Sequence, residues 1–200
     1  MLADLKIARK LSLLLILPMA TFLFLVSIES MKRWKDIDEL KFVERAIVVS
    51  LSAGELIHEI QKERGYTAGY LGSKGKKFSV ELPDQQKKSD AAYKEFSATL
   101  AEINARENNA FTPLFSSAIT KFSALSDVRA SARGIQIDAL QAIAAYSICI
   151  TDFIDAISNL NEHSHKALTS ILQLTHGKEI AGQERATLNA AFSAGTFSKQ

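Results

Sequence analysis

Apolar side chains recur every three to four residues over most of this chain, the spacing that places them on one face of an α-helix. This spacing predicts helices over residues 36–71, 84–106, 113–133, 137–174 and 178–194. The sequence has no stretch with the strict apolar–polar alternation of a half-buried strand. We therefore predict an all-α fold in which an up-and-down helical bundle forms the main domain.

The segment ENNAFTP separates the second and third predicted helices. Threonine is a favourable N-cap, and proline is tolerated at the first helical position because its missing N–H needs no partner there. We predict that Thr112 caps the third helix and that Pro113 is its first residue.

Residues 11–28, LSLLLILPMATFLFLVSI, carry no charge. At about 1.5 Å per residue, a helix of this length just spans a hydrocarbon core of about 30 Å. Cations lie on both sides of the run, and Trp34 suits the membrane interface. We predict a transmembrane helix over 11–28, after a cytoplasmic N-terminus over 1–10, with a cleaved signal peptide as the alternative. An extracytoplasmic helical sensor domain would then cover 36–200, truncated at its C-terminus.

The net charge of +2 is unevenly distributed. The first 35 residues have a net charge of +4 and the remainder a net charge of −2. A nucleic-acid binder usually carries a basic face, so this distribution argues against nucleic acid as a partner. The one cysteine, Cys149, lies in an apolar run, which excludes a disulfide framework and favours a buried core residue.

Three arginines lie beside apolar helix faces. They are Arg64 in QKERGYTAGYLG, Arg185 in GQERATLNAAFSAGTF and Arg129 in SALSDVRASAR. A buried guanidinium stays charged and needs a partner. One interpretation is structural pairing with glutamates of other helices. The other is a compact anion site, because the planar guanidinium fork matches a bidentate oxyanion.

The sequence offers little else that points to chemistry. His163 and His165 are two residues apart, so on a helix they diverge, and we predict no metal site. Phosphate-binding loops and nucleophile–base motifs are absent from the sequence. We therefore expect neither an enzyme nor a cofactor.

Two segments resemble the nitrate- and nitrite-sensing domain called NIT. They are HEIQKERGYTAGYLGSKGKKFSVELPDQQKKSD and KEIAGQERATLNAAFSAGTF, and the resemblance extends from about residue 45 to residue 197. It implies an all-helical sensor that holds nitrate or nitrite between helices, with Arg64, Arg185 and Arg129 as the ligand-binding residues. Some members have two adjacent basic residues in the first motif, whereas here Glu63 precedes Arg64.

From the resemblance and the apolar run we predict the sensor domain of a bacterial transmembrane receptor, such as a methyl-accepting chemotaxis protein. It would lie in the inner membrane with a periplasmic or extracellular sensor and relay helix movement across the membrane. Its expected partners are nitrate or nitrite, the membrane and a second copy in a homodimer, without nucleic acid. The alternatives are a bundle that binds another small anion, such as a carboxylate or amino acid, and a structural bundle with buried Arg–Glu pairs.

Overall fold

The computed structural model describes the backbone of residues 7–107, 109–162 and 169–194. Within these ranges it has five helices and no strand, which confirms the predicted all-α fold. The helices are α1 (Ile7–Gly72), α2 (Glu81–Arg106), α3 (Thr112–Arg133), α4 (Ala139–Glu162) and α5 (Thr169–Ala194). The chain divides into two compact units, Met1–Phe42 and Val43–Gln200, and the second contains the helical bundle.

The predicted boundary between the last two helices differs from the structure. The break predicted between residues 174 and 178 is absent, because α5 runs without interruption through Gly177. A single glycine costs a helix only about 1 kcal/mol relative to alanine, so it need not end one. The helix predicted over 137–174 is α4, which ends at Glu162, and its continuation over 163–168 lies outside the described residues.

The start of α3 depends on a distant side chain that the sequence did not reveal. The helix begins at Thr112, so the predicted N-cap is itself helical. The buried Asn104 of α2 supplies the cap instead: its Oδ1 accepts hydrogen bonds from the backbone N–H groups of Phe111 at 3.0 Å and Thr112 at 3.2 Å. Its Nδ2 donates to Oγ1 of Thr112 at 2.6 Å. These bonds satisfy helix-terminal donors that would otherwise lack partners.

Aromatic side chains form one part of the bundle core. Phe96 of α2 contacts Phe115 of α3 and Phe153 of α4 edge to face, with ring centroids 5.2 and 5.5 Å apart. All three rings are fully buried. This geometry is favoured by the quadrupoles of the rings and adds to the gain from burying their apolar area. The cluster therefore fixes α2, α3 and α4 together.

Small residues allow α5 to approach α1 closely. Ala68 of α1 packs against Ala186 and Ala190 of α5 in one buried cluster. At Gly72, an added Cβ would lie only 2.5 Å from the backbone oxygen of Ala190. The backbones can be this close only because these positions carry almost no side chain.

Two apolar stretches bear on the predicted membrane helix. Among the described residues, Ala139–Leu160 in α4 is long and apolar enough to cross a membrane, but half of it is buried in the bundle, as in a core helix. A shorter apolar stretch with described side chains, Pro18–Met31, overlaps the predicted span over 11–28. It has fewer than 18 residues. Apolar side chains there, such as Phe22 and Leu25, are exposed.

The close approach of α1 and α5 gives a first prediction. Gly72→Ala should lower the free energy of unfolding by about 1–3 kcal/mol, because its Cβ would meet a backbone carbonyl that cannot rotate away. Gly54→Ala, also in α1, is the matched control: an added Cβ meets nothing within 4 Å there. It should raise stability by about 0.5–1 kcal/mol through helix propensity. Urea denaturation measures both, and equal effects of the two substitutions would contradict the close packing.

Candidate functional site

Arg64 lies at the point where three helices of the bundle meet. Its side chain is completely buried, with 0% exposure. From α1, its Nη1 donates to Oε1 of Glu179 on α5 at 2.5 Å and to Oγ of Ser147 on α4 at 2.8 Å. One nitrogen of the guanidinium is therefore fully used by protein groups.

The other edge of the same guanidinium is unpaired. Nε and Nη2 of Arg64 are buried and have no hydrogen-bond partner among the described residues. The N–H groups on these two atoms point in parallel, which is the arrangement that grips a planar oxyanion with two bonds. Gly182 of α5 lies against this edge, since an added Cβ would be 2.7 Å from Nη2. We call the Nε and Nη2 pair the open edge of Arg64.

Glu179 is the partner of Arg64, and the sequence did not indicate it. Its carboxylate is buried. Oε1 also accepts from Nε2 of Gln183 at 2.7 Å, and Oε2 accepts from Nε2 of Gln61 at 2.9 Å. Glu179 lies 115 positions from Arg64, in KEIAGQERA, so only the packing of α5 on α1 brings the two together.

The carboxylate next to Arg64 in sequence serves a different network. Glu63 is buried and accepts two bonds from Arg129 of α3: Nε to Oε1 at 2.7 Å and Nη2 to Oε2 at 2.8 Å. It also accepts from the hydroxyl of Tyr146 on α4 at 2.6 Å. Nη1 of Arg129 donates to Asp90 of α2 at 2.7 Å. The Glu63 carboxylate thus joins α1, α3 and α4, and Arg129 extends the network to α2.

Both partners of Glu63 have shifted protonation equilibria. Burial and the adjacent Glu63 carboxylate raise the pKa of Tyr146, so the phenol stays neutral and donates its hydrogen bond. For Arg129, burial acts to lower the pKa, but the bonds to Glu63 and Asp90 outweigh it and the pKa is raised. Arg129 therefore stays charged and Tyr146 stays protonated at ordinary pH.

Arg185, the second predicted arginine, lies in a groove between α1 and α5. The groove has a volume of about 630 Å³, and its lining includes Lys62, Tyr66, Phe78, Gly182 and Arg185. Arg185 is exposed and forms no ion pair with any residue that the structure describes. Gly182 thus borders the groove on one side and the open edge of Arg64 on the other.

The three predicted arginines therefore have three different surroundings. Arg64 has an open edge, Arg129 has its fork filled by Glu63, and Arg185 faces the groove. Their roles as ligands remain predictions. The alternative of a buried pair with a glutamate of another helix matches what is seen at Arg64, which pairs with Glu179, and at Arg129, which pairs with Glu63.

The histidines and the cysteine considered from the sequence form neither a metal site nor a reactive thiol among the residues that the structure describes. Within the described residues there is no group of three or more His, Cys, Asp or Glu side chains that could hold a metal, and His163 and His165 lie outside those residues. Burial raises the pKa of the Cys149 thiol to about 12, so it is unreactive at neutral pH.

Comparisons with known proteins match this bundle. The family profile described as nitrate and nitrite sensing, NIT, matches residues 55–200. The nitrate regulatory protein of Klebsiella oxytoca is 26% identical over 150 residues, 72% of this chain and 38% of that protein. The solved structure of the NasR transcription antiterminator shares the fold, with a TM-score of 0.77 and 23% identity, over 88% of this chain and 49% of that one. The chain thus spans less than half the length of either protein.

These relatives are regulators, and they contradict three predictions made from the sequence. The transmembrane receptor that relays helix movement across a membrane is wrong, as are its inner-membrane location with a periplasmic or extracellular sensor and the membrane as a partner. The physical reason is that an apolar run with flanking cations reports composition alone; the core helix α4 passes the same test. A role in chemotaxis is not supported either, because it depended on the receptor. The expected homodimer also depended on the resemblance to receptors.

The exclusion of nucleic acid is also contradicted. One relative is a transcription antiterminator, and transcription involves nucleic acid. The prediction relied on the net charge of this chain, which says nothing about the parts of the two relatives that this chain does not cover. The predicted nitrate sensing and signal transduction are supported by the family and by the nitrate regulatory protein. The descriptions of both name sensing and regulation, which agrees with the prediction that the chain is not an enzyme.

The Glu63 network gives a second prediction. Tyr146→Phe should lower the free energy of unfolding by about 1.5–3 kcal/mol, because it leaves a buried carboxylate without one of its donors. Tyr93→Phe is the matched control, since its ring stacks on Phe122 and its hydroxyl bonds to no described residue. Chemical denaturation followed by circular dichroism compares them; equal losses would refute a special role for the Tyr146 hydroxyl.

The raised pKa of Tyr146 adds a pH dependence to that comparison. Below the ordinary tyrosine pKa of 10.0, both folded and unfolded chains keep the proton, and the stabilisation is complete. Above it, the unfolded chain releases the proton first, so the stabilisation is lost as the pH rises. The stability gap between the wild type and Tyr146→Phe should therefore narrow above pH 10.

Proposed function

The chain belongs to the NIT family of nitrate and nitrite sensing, and from this premise we propose that its helical bundle is the nitrate- and nitrite-sensing module of a regulatory protein. The anion binds at the open edge of Arg64. The names of the relatives, a nitrate regulatory protein and a transcription antiterminator, support an output that controls gene expression.

The observation that carries the proposal is the pair of unsatisfied donors on a fully buried cation. An unpaired buried polar group costs about 1–3 kcal/mol, and more when it is charged. Native proteins rarely keep two such donors on one group without a ligand. Nitrate and nitrite each present two oxygens in one plane, which match the parallel N–H groups of Nε and Nη2.

The closed surroundings of Arg64 couple binding to helix movement. Neither donor atom is accessible, and Gly182 of α5 lies directly against Nη2. An anion can reach the open edge only if α5 moves outward from α1, and the groove beside Gly182 provides the approach. The anion then favours the displaced arrangement of α5, because it binds that arrangement better than the closed one.

Arg185 and Arg129 have smaller roles in the proposed binding of the anion. Arg185 lies in the groove and raises the local concentration of anions there, becoming a second contact when α5 is displaced. Arg129, the third predicted ligand, already holds Glu63 with its fork. An anion at Arg129 would have to displace that carboxylate, so Arg64 is the principal ligand in this proposal.

The third prediction tests the proposal directly. Isothermal titration of the chain with nitrate, nitrite, chloride and acetate should show binding of nitrate or nitrite. Arg64→Lys should weaken that binding at least about tenfold, because an ammonium keeps the charge facing Glu179 but lacks the parallel fork. Arg133→Lys, at an exposed position, is the matched control and should leave the affinity unchanged.

Three results would contradict the proposal. They are binding of acetate without nitrate or nitrite, absence of heat for every anion, and an unchanged nitrate affinity in Arg64→Lys. Thermal denaturation of each variant without anion separates loss of the site from loss of the fold.

The fourth prediction concerns the space beside the open edge. In Gly182→Ala the new Cβ would lie 2.7 Å from Nη2, where the anion has to approach. Nitrate affinity should fall at least about tenfold. Gly177→Ala, in the same helix, meets nothing within 4 Å and should bind nitrate as the wild type does. Equal affinities of the two variants would place the anion elsewhere.

A further inference from the structure

The carboxylate of Glu179 already binds the guanidinium to which the anion is proposed to bind, at a different nitrogen. It accepts from Nη1 of Arg64 at 2.5 Å, on the same guanidinium whose open edge faces Gly182. Gln61 of α1 and Gln183 of α5 also donate to this carboxylate, at 2.9 and 2.7 Å. Glu179 is buried, so water screens its charge only weakly.

A second anion at Arg64 would have to share one positive charge with Glu179. The guanidinium spreads a single charge over its three nitrogens, and two anions on adjacent edges repel each other strongly in a poorly screened interior. In the closed arrangement Lys62 and Arg129 do not offset this repulsion, because Lys62 pairs with Glu59 and Arg129 pairs with Glu63 and Asp90. Arg185 lies in the groove and becomes a contact of the anion only when α5 is displaced. The bound anion and the Glu179 carboxylate therefore compete for Arg64.

We propose that Glu179 is a tethered competitor of the anion: it occupies Arg64 in the anion-free bundle, sets the anion affinity, and holds α5 against α1. This inference rests on the proposed function, because it concerns the same guanidinium. Glu179 belongs to α5 and Arg64 to α1, so the competition links the anion to the attachment of one helix to another. Any ligand that weakens this pair loosens α5, and any change that loosens α5 without filling the space of the anion favours the ligand, because the coupling is reciprocal.

The opposite possibility is that Glu179 is a positioning residue that orients the fork of Arg64 for the anion. The two roles predict opposite signs. Removing the charge of a competitor strengthens anion binding, whereas removing a positioning partner weakens it.

The test is nitrate titration of Glu179→Gln by calorimetry, in the whole chain. Glutamine has nearly the same shape, and with its amide oxygen in the position of Oε1 it can still accept from Arg64 and Gln183. Its amide nitrogen then replaces Oε2 and donates to the side-chain oxygen of Gln61 once that amide has turned over. The competitor role predicts that nitrate affinity rises at least about tenfold. Glu184→Gln, the same charge change at an exposed position of α5, is the matched control and should change the affinity less than twofold.

A second variant covers the case in which Glu179→Gln does not fold. Glu179→Asp keeps the charge and withdraws the carboxylate by one methylene, which weakens its bond to Nη1 of Arg64. The competitor role again predicts tighter nitrate binding, by a smaller factor. Weaker or unchanged binding in a folded Glu179 variant overturns the inference.

The outcomes also separate this inference from the proposed function. If the wild type binds nitrate and loses it in Arg64→Lys, while Glu179→Gln leaves the affinity unchanged, the proposed function stands and the competitor role fails. If folded wild type and folded Glu179→Gln both fail to bind nitrate, both fail. If nitrate binds only after Glu179 is replaced, the competitor role stands, and the proposed function fails because the wild-type bundle does not take up the anion.

Discussion

The buried ion pair between Arg64 of α1 and Glu179 of α5 is the interaction on which the rest of the site depends. Both charges are removed from water, which is costly, and their attraction offsets that cost only when the remaining hydrogen bonds are made. Glu179 meets this condition through Gln61 and Gln183, whereas Arg64 does not, because its open edge has no partner. The carboxylate of Glu179 thus has its hydrogen-bond partners, whereas the guanidinium of Arg64 has two donors without one. These two donors can bind a ligand.

The small residues between α1 and α5 make this incomplete pair possible. Gly72, Ala186 and Gly182 bring the two backbones so close that water is excluded from the guanidinium. Larger side chains would separate the helices and leave Arg64 hydrated, which would remove the energetic reason for binding an anion. The same small residues therefore account both for the close packing of α1 and α5 and for the affinity of Arg64 for an anion.

The sequence predicted what depends on local periodicity and failed where distant parts of the chain meet. The second and third helices were placed within a few residues of α2 and α3, and Arg64 was recognised as an arginine beside an apolar face. Glu179 and Asn104 were missed, because their roles depend on which turn of one helix packs against which turn of another. The membrane prediction failed for a related reason: composition alone does not say whether an apolar helix faces a core, another protein or a lipid.

Glu63 and Arg64 are consecutive residues of α1, and successive side chains of a helix point about 100° apart. One turn of α1 therefore supplies a charge to two ion networks that lie in different directions, one toward α2, α3 and α4 and the other toward α4 and α5. A rotation of α1 about its axis would strain both networks together, so α1 resists twisting. Of the charged side chains in these two networks, only Glu179 belongs to α5, so breaking a single ion pair leaves α5 without a charged contact to either network.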